Sequence, residues 1–133
     1  MRIVDTVVLI AFLDQNDPRF VKANEYVMDI GMRQDILVPS ATLLELDLEF
    51  KAHGISAQRR VEIHARFERL IPQSRILPIT STVLGRAAEL AGLAKWRSPY
   101  FDTMIVATGL EHGADAAITT DRKFATLGLR TVF

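Results

Sequence analysis

The sequence predicts an α/β fold with a mostly parallel sheet, formed by one domain that spans residues 1–133. Three observations support this. Short apolar segments alternate along the chain with longer segments of helical periodicity, which is typical of strands followed by crossover helices. The length of 133 residues suits one domain, and the 49% hydrophobic content is sufficient for a substantial core.

The amino-terminal elements are predicted from apolar runs and cap residues. Asp17 is a suitable helix N-cap, Pro18 suits the first helical position, and Gly31 suits the end of that helix. The predicted elements are a strand at Ile3–Val4, a helix over Thr6–Leu13, a helix from Pro18 to about Ile30, and a strand at Ile36–Val38 that stops at Pro39.

The segment Leu43–Phe50 fits two patterns. Leucine and acidic residues alternate there as in a strand, yet the residues are good helix formers, and Ser40 is available as an N-cap. Leu43, Leu46 and Phe50 also share one helical face. We therefore predict a helix that ends at His53-Gly54, with the strand as the alternative.

The carboxyl-terminal half continues the alternation, with Ser56 and Ser81 as predicted helix caps. The predicted elements are helices at 57–70, at 82 to about 96 and at 101–112, strands at 76–79, 115–119 and 130–132, and a turn of helix or loop at 122–127.

Composition narrows the chemistry of any site. The chain has no cysteine, so disulfides and thiolate metal sites are excluded, and its three histidines lack zinc-type spacing. Sixteen basic and sixteen acidic residues give zero net charge, so a nucleic acid would have to be held by a local patch. The longest apolar run, Val7–Leu13, is too short to span a bilayer, and we expect a cytoplasmic protein.

Four acidic residues lie at the ends of predicted elements beside apolar sequence: Asp5, Glu45, Asp102 and Asp121. Each alone has an ordinary explanation, as a helix cap or a solvated helix residue. Ligands in parallel sheets bind beyond the carboxyl ends of strands, which is where Asp5 and Asp121 are predicted to lie.

If folding gathers these carboxylates, their charges must be compensated. Two carboxylates about 4 Å apart repel by roughly 4 kcal/mol at a near-surface dielectric. A hard divalent cation that prefers oxygen ligands, such as Mg²⁺ or Mn²⁺, would remove that repulsion and create a hydrolytic centre.

The order of these acids and their contexts resembles the PIN domain family over nearly the whole chain. Val4-Asp5-Thr6 is similar to the opening motif of the family, and Glu45 matches the acidic position in the helix after Val38-Pro39-Ser40. The segment 101–107 is similar to the third motif, and Thr119-Thr120-Asp121 to the fourth.

The resemblance implies a three-layer α/β/α fold with about five short strands and a metal-dependent ribonuclease activity, most similar to VapC-type toxins. It also implies a small cognate antitoxin and a homodimer. By position, Asp5, Glu45, Asp102 and Asp121 would form the acidic cluster. We assign Asp5 and Asp102 as direct metal ligands, with Asp121 and Glu45 binding through water or to a second ion. Thr119, and similarly Thr6, would support the site by hydrogen bonds.

An RNA substrate requires basic residues near this cluster. Arg122 and Lys123 follow Asp121 directly and are the preferred candidates for RNA contacts. Lys95 and Arg97 also flank the proposed site, whereas the helical face with Arg59, Arg66 and Arg69 is better explained as a solvated surface.

Two other classes of protein remain as alternatives. A phosphorylatable receiver domain is also α/β, but it needs an acidic pair after its first strand, and Asp5 has no acidic neighbour. A PIN-type protein could also act in RNA processing or be a non-catalytic binding module. Loss of cleavage in EDTA would separate an enzyme from a binding module.

Overall fold

The computed structural model describes residues 1–93 and 100–133, in which a five-stranded sheet lies between helical layers. The strands are β1 (Arg2–Val4), β2 (Ile36–Pro39), β3 (Ile76–Leu77), β4 (Ala116–Ile118) and β5 (Arg130–Val132). The helices are α1 (Thr6–Leu13), α2 (Phe20–Met32), α3 (Ser40–Ala52), α4 (Ala57–Leu70), α5 (Ser81–Leu93), α6 (Tyr100–Glu111) and α7 (Lys123–Thr126).

All neighbouring strands of the sheet are parallel, in the order β3-β2-β1-β4-β5. The chain places β2 and β3 on one side of β1, and then β4 and β5 on the other. In open parallel sheets, the reversal of strand order leaves a crevice at the carboxyl ends of the central strands. Here that crevice lies beyond β1 and β4.

Successive side chains of β1 and β4 point to opposite faces of the sheet, and each face has its own hydrophobic core. Val4 and Ile118 pack with buried residues of α1, α2 and α4, and Ile3 and Ala117 pack with α5, α6 and α7. Because the strands are apolar on both faces, each face requires a helical layer. The predicted three-layer α/β/α fold with a parallel sheet is confirmed.

The predicted start of α2 at Pro18 is wrong, because the helix begins at Phe20 with Arg19 as N-cap. Asp17 caps no helix. Its carboxylate instead accepts hydrogen bonds from the backbone N–H of Arg19 and from the Arg19 guanidinium. The segment between α1 and α2 is therefore a turn that fixes Arg19, and this turn lies beside the crevice described below.

Two further caps differ from prediction by one residue. Pro39 rather than Ser40 is the N-cap residue of α3, and Thr80 rather than Ser81 accepts the hydrogen bond from the Val83 N–H at the start of α5. Ser56 caps α4 as predicted, through a 3.1 Å bond from the Arg59 N–H. The predicted end of α5 near residue 96 lies outside the described residues.

The ambiguous segment 43–50 is helical, as predicted, within α3. Leu46 is fully buried, whereas Leu44 and Leu48 are 45% and 44% exposed, so the leucines do not share the single buried face that a strand pattern implies. β3 is shorter than predicted and ends at Leu77. Within residues 1–93 and 100–133, no helix is both long and apolar enough to cross a membrane.

Candidate active site

Asp5 occupies the junction between β1 and α1 at the centre of the sheet. It is the N-cap residue of α1, and its Oδ1 accepts a 2.8 Å hydrogen bond from the Thr6 N–H. The side chain is buried, and burial raises its pKa, although hydrogen bonds from Thr119 and Thr6 oppose the rise and the Asp121 charge adds to it. Asp5 is thus both a structural cap and a desolvated carboxylate.

The turn after β4 brings Thr119 and Asp121 to Asp5. The Thr119 hydroxyl donates a 2.6 Å bond to Asp5 Oδ2 and accepts a 3.0 Å bond from the Asp121 N–H. The Asp5 N–H donates to the Ile118 carbonyl and the Thr119 N–H to the Val132 carbonyl. These bonds continue the ladder between the strands, so the positions of Asp5 and Asp121 follow from the parallel pairing of β1 and β4.

Glu45 approaches the same crevice from the first turns of α3. Thr42 anchors this end of α3, because its hydroxyl donates a 2.8 Å bond to the Val4 carbonyl, and the Thr6 hydroxyl lies 3.4 Å from the Thr42 carbonyl. Burial raises the pKa of Glu45, a hydrogen bond from Thr6 opposes this shift, and the Asp5 and Glu49 charges increase it.

Asp102 lies in the first turn of α6. The pKa of Asp102 is raised to about 7, first by burial and then by the charges of Asp5, Glu45 and Asp121, while the Lys123 charge opposes the rise. The raised pKa reports that Asp102 lies within electrostatic range of the other three acids.

A cavity of about 330 Å³ joins these side chains. Its lining includes all four predicted acids together with Thr6, Arg19, Glu49 and Thr120. The cavity lies at the carboxyl end of β1 and β4, where the strand order reverses. The acids therefore share one solvent-accessible crevice, although they come from four separate segments of the chain.

The carboxylates are not arranged at coordination distance as they stand. Within the described residues, no group of three or more His, Cys, Asp or Glu side chains forms a ready-made metal site. The donors that line the cavity are nevertheless oxygen atoms alone, which suits hard cations such as Mg²⁺ or Mn²⁺. Burial raises the pKa values of Asp5, Glu45 and Asp102, and neighbouring acidic charges add to each rise.

The basic residues that were predicted to contact RNA do not all lie at the acidic crevice. Lys123 lies near enough to lower the pKa of Asp102, and its N–H donates to Asp121 Oδ1 at 2.9 Å. Arg122 is exposed and is not among the described residues that line the cavity. Arg59 forms an exposed ion pair with Glu62. Lys95 and Arg97 lie outside the described residues.

Two charged residues that line the cavity, Arg19 and Glu49, were not predicted from the sequence. Glu49 lies one helical turn after Glu45 on α3, and this spacing was the only available signal for it. Arg19 had no signal, because its position depends on the path of the turn between α1 and α2.

Comparisons with known proteins agree with this fold. The family model described as PIN domain matches residues 2–128. No match is found among curated proteins.

Solved structures share the fold at low sequence identity. FitAcB from Neisseria gonorrhoeae is 23% identical with a TM-score of 0.76, covering 100% of this chain and 97% of that chain. VapC20 from Mycobacterium tuberculosis, described as a sarcin-ricin loop cleaving toxin, is 17% identical with a TM-score of 0.74, covering 97% and 96%. VapBC2 from Rickettsia felis, bound to a promoter DNA fragment, is 13% identical with a TM-score of 0.71, covering 98% and 96%.

Proposed function

The chain belongs to the PIN domain family, and from that premise we propose that it is a metal-dependent ribonuclease that acts as the toxin of a toxin–antitoxin pair. One observation carries the proposal: the four motif acids line one crevice at the point where the strand order reverses. Their residue types and their placement suit hydrolysis of a phosphodiester better than binding of an apolar ligand.

In this proposal Asp5, Asp102 and Asp121 hold Mg²⁺ or Mn²⁺. When bound at these residues, such an ion would supply charge compensation and would activate a water molecule. The hydrogen bonds from Thr119 to Asp5 and from the Asp121 N–H to Thr119 fix the relative positions of two of these ligands. Thr6 has a similar role, because its N–H donates to Asp5 and its hydroxyl opposes the rise in the pKa of Glu45.

Glu45 is assigned as the general base. It is half-buried, and its raised pKa brings it closer to neutral pH, where a base accepts a proton most effectively. The water proton passes to Glu45 while the water oxygen forms a bond to phosphorus. The bond from phosphorus to the leaving oxygen then breaks, and that oxygen takes up a proton from solvent.

The toxin role rests on the fold neighbours, which include a structure described as a toxin and one described as a toxin–antitoxin complex. We propose a small cognate antitoxin, a homodimer and a cytoplasmic location as parts of this role. The alternatives are a PIN-type nuclease of RNA processing and a non-catalytic PIN-like binding module. Growth arrest on expression, relieved by a small protein encoded beside this chain, would favour the toxin.

The direct test is cleavage of bulk bacterial RNA by the purified protein with Mg²⁺, with Mn²⁺ and with EDTA. Cleavage should require the metal and should fall at least a hundredfold in Asp5→Asn. The matched control is Asp14→Asn at the opposite end of α1, which should keep full activity. Metal-independent cleavage, or equal activity of Asp5→Asn and wild type, would contradict the proposal.

A further inference from the structure

A second, smaller cavity adjoins the acidic crevice. Its volume is about 170 Å³, and it is lined by Pro18, Arg19, Lys22, Thr120 and Phe133. Arg19 and Thr120 line both cavities. The second cavity carries two cationic side chains and no carboxylate side chain among its lining residues, in contrast with the acidic crevice. The lining is therefore acidic on one side of Arg19 and cationic on the other.

The Arg19 guanidinium is held in one orientation by Asp17. Arg19 Nε donates to Asp17 Oδ1 at 2.9 Å and Nη2 to Oδ2 at 2.7 Å, while the Arg19 N–H donates to Oδ1 at 2.8 Å. The Arg19 pairing is the main cause that lowers the pKa of Asp17 to about 2, so the ion pair persists at neutral pH. This fork removes most of the rotational freedom that an exposed arginine has.

The fork leaves donor capacity on the guanidinium. Two of its five N–H groups bond to Asp17, so three have no partner within the described residues. The side chain is 39% exposed, whereas that of Asp17 is 11% exposed, so the remaining donors are accessible from the crevice and the carboxylate is mostly covered. An oriented guanidinium with free N–H groups suits a phosphate, which it can bind through two parallel hydrogen bonds.

We propose that Arg19, positioned by Asp17, and Lys22 form a subsite for an RNA phosphate next to the scissile phosphate. The subsite deepens the proposed ribonuclease function and rests on it. RNA would pass from the carboxylates across Arg19 and Thr120 into the cationic cavity. Arg19 contributes directional hydrogen bonds, because Asp17 balances its charge, and Lys22 contributes the net positive charge. Both residues hold substrate and neither takes part in bond breaking.

The structure offers a matched control pair. Arg33 and Asp35 form the same kind of fork, with Nε–Oδ1 at 2.9 Å and Nη2–Oδ2 at 3.1 Å. This pair precedes β2, at the amino edge of the sheet, whereas the crevice lies at the carboxyl edge. The double variant Arg33→Gln with Asp35→Asn makes the same two substitutions away from the proposed RNA path, and it also removes the 2.9 Å ion pair between Arg2 and Asp35.

The test uses Asp17→Asn with Arg19→Gln, which keeps the net charge and removes the fork. Binding of a fluorescein-labelled, mixed-sequence single-stranded RNA is measured by anisotropy in EDTA, because phosphate contacts do not depend on sequence. We expect about fivefold weaker binding, with no change in the control pair. Lys22→Ala should reduce the slope of log affinity against log salt by about 0.7, the value for one phosphate contact on a single strand.

Cleavage kinetics with Mg²⁺ give an independent readout. The Asp17→Asn/Arg19→Gln variant should raise KM about fivefold and keep kcat within twofold, and thermal unfolding checks that it is folded. Arg19→Lys, which keeps the charge but not the fork, should resemble the double variant. Binding and KM equal to those of the control pair would overturn the subsite. RNA binding that depends on Arg19 without any cleavage would instead support the phosphate subsite and contradict the proposed ribonuclease function.

Discussion

The Thr119 hydroxyl donates a 2.6 Å hydrogen bond to Asp5 Oδ2 and joins the ends of two central strands, 114 residues apart in sequence. The same hydroxyl accepts from the Asp121 N–H at 3.0 Å. A hydroxyl can donate one bond and accept two, so one threonine can orient both acids. The position of two candidate ligands therefore depends on a side chain that need not touch metal or substrate.

Thr119→Val should reduce both activity and stability. Valine keeps the shape but leaves Asp5 Oδ2 and the Asp121 N–H without this partner, and the pKa of Asp5 should rise further because the opposing hydrogen bond is lost. We expect a loss of about 1–3 kcal/mol in the free energy of unfolding and at least a tenfold fall in cleavage.

Thr119→Ser, which keeps the hydroxyl, should retain most of the cleavage activity and most of the free energy of unfolding. Thr108→Val is the matched control, since it removes a buried hydroxyl that donates to the Met104 carbonyl within α6 and has no other bond to the described residues. Equal activity of Thr119→Val and Thr108→Val would show that the Thr119 bond does not position the acids.

Asp102→Asn should stabilise the metal-free protein above neutral pH. The pKa of Asp102 is raised from 3.8 to about 7 in the folded chain. The folded state therefore favours the protonated carboxyl, and the stability that this carboxyl contributes is complete below pH 3.8 and is lost as pH rises through 7. Because the side chain is half-exposed, we expect a gain of only about 1 kcal/mol at pH 8, or about 3–5 °C in Tm. Thermal unfolding in EDTA should show this gain at pH 8 and none at pH 4, and equal Tm at pH 8 would contradict it.

Metal affinity should increase with pH around neutrality. Asp102 must lose its proton to bind a cation, and its pKa is about 7 in the metal-free protein. The apparent Kd for Mg²⁺ should therefore fall about tenfold between pH 6 and pH 8 and level off above that. Calorimetric titration of wild type and Asp102→Asn provides the measurement. The variant should bind weakly with little dependence on pH, and a flat profile in wild type would count against Asp102 as a ligand.

The fold was largely predictable because the residues that form the apolar pattern of the sequence are the ones that the structure buries. The central strands are apolar on both faces, and α1 was predicted with its observed limits, since Asp5 marks its start and Asp14 its end. Helix starts were less predictable. Several residues near each start can accept a hydrogen bond from the backbone, and the local path of the chain decides between Ser81 and Thr80.

The candidate site was predictable only where its residues follow strands. Asp5 and Asp121 come directly after β1 and β4, so a parallel sheet brings them to one edge. Arg19 lies in a turn between two helices, and its position at the crevice depends on its ion pair with Asp17. No periodicity in the sequence encodes that pair, which explains why Asp17 was interpreted as a helix cap.

Gly109 should tolerate no larger side chain, because α6 packs against β1 at this position. A Cβ built on Gly109 would lie 2.7 Å from Ile3 Cδ1 and 3.3 Å from two further Ile3 atoms, and Ile3 is fully buried. Gly109→Ala should cost about 1–3 kcal/mol through overpacking, measured by urea unfolding. Gly85→Ala on α5 is the control: its Cβ meets nothing within 4 Å, so it should stabilise the protein by about 0.5–1 kcal/mol. Because α6 also carries Asp102, Gly109→Ala should weaken Mg²⁺ binding as well, whereas Gly85→Ala should not. Equal stability of the two variants would contradict close packing of α6 on β1.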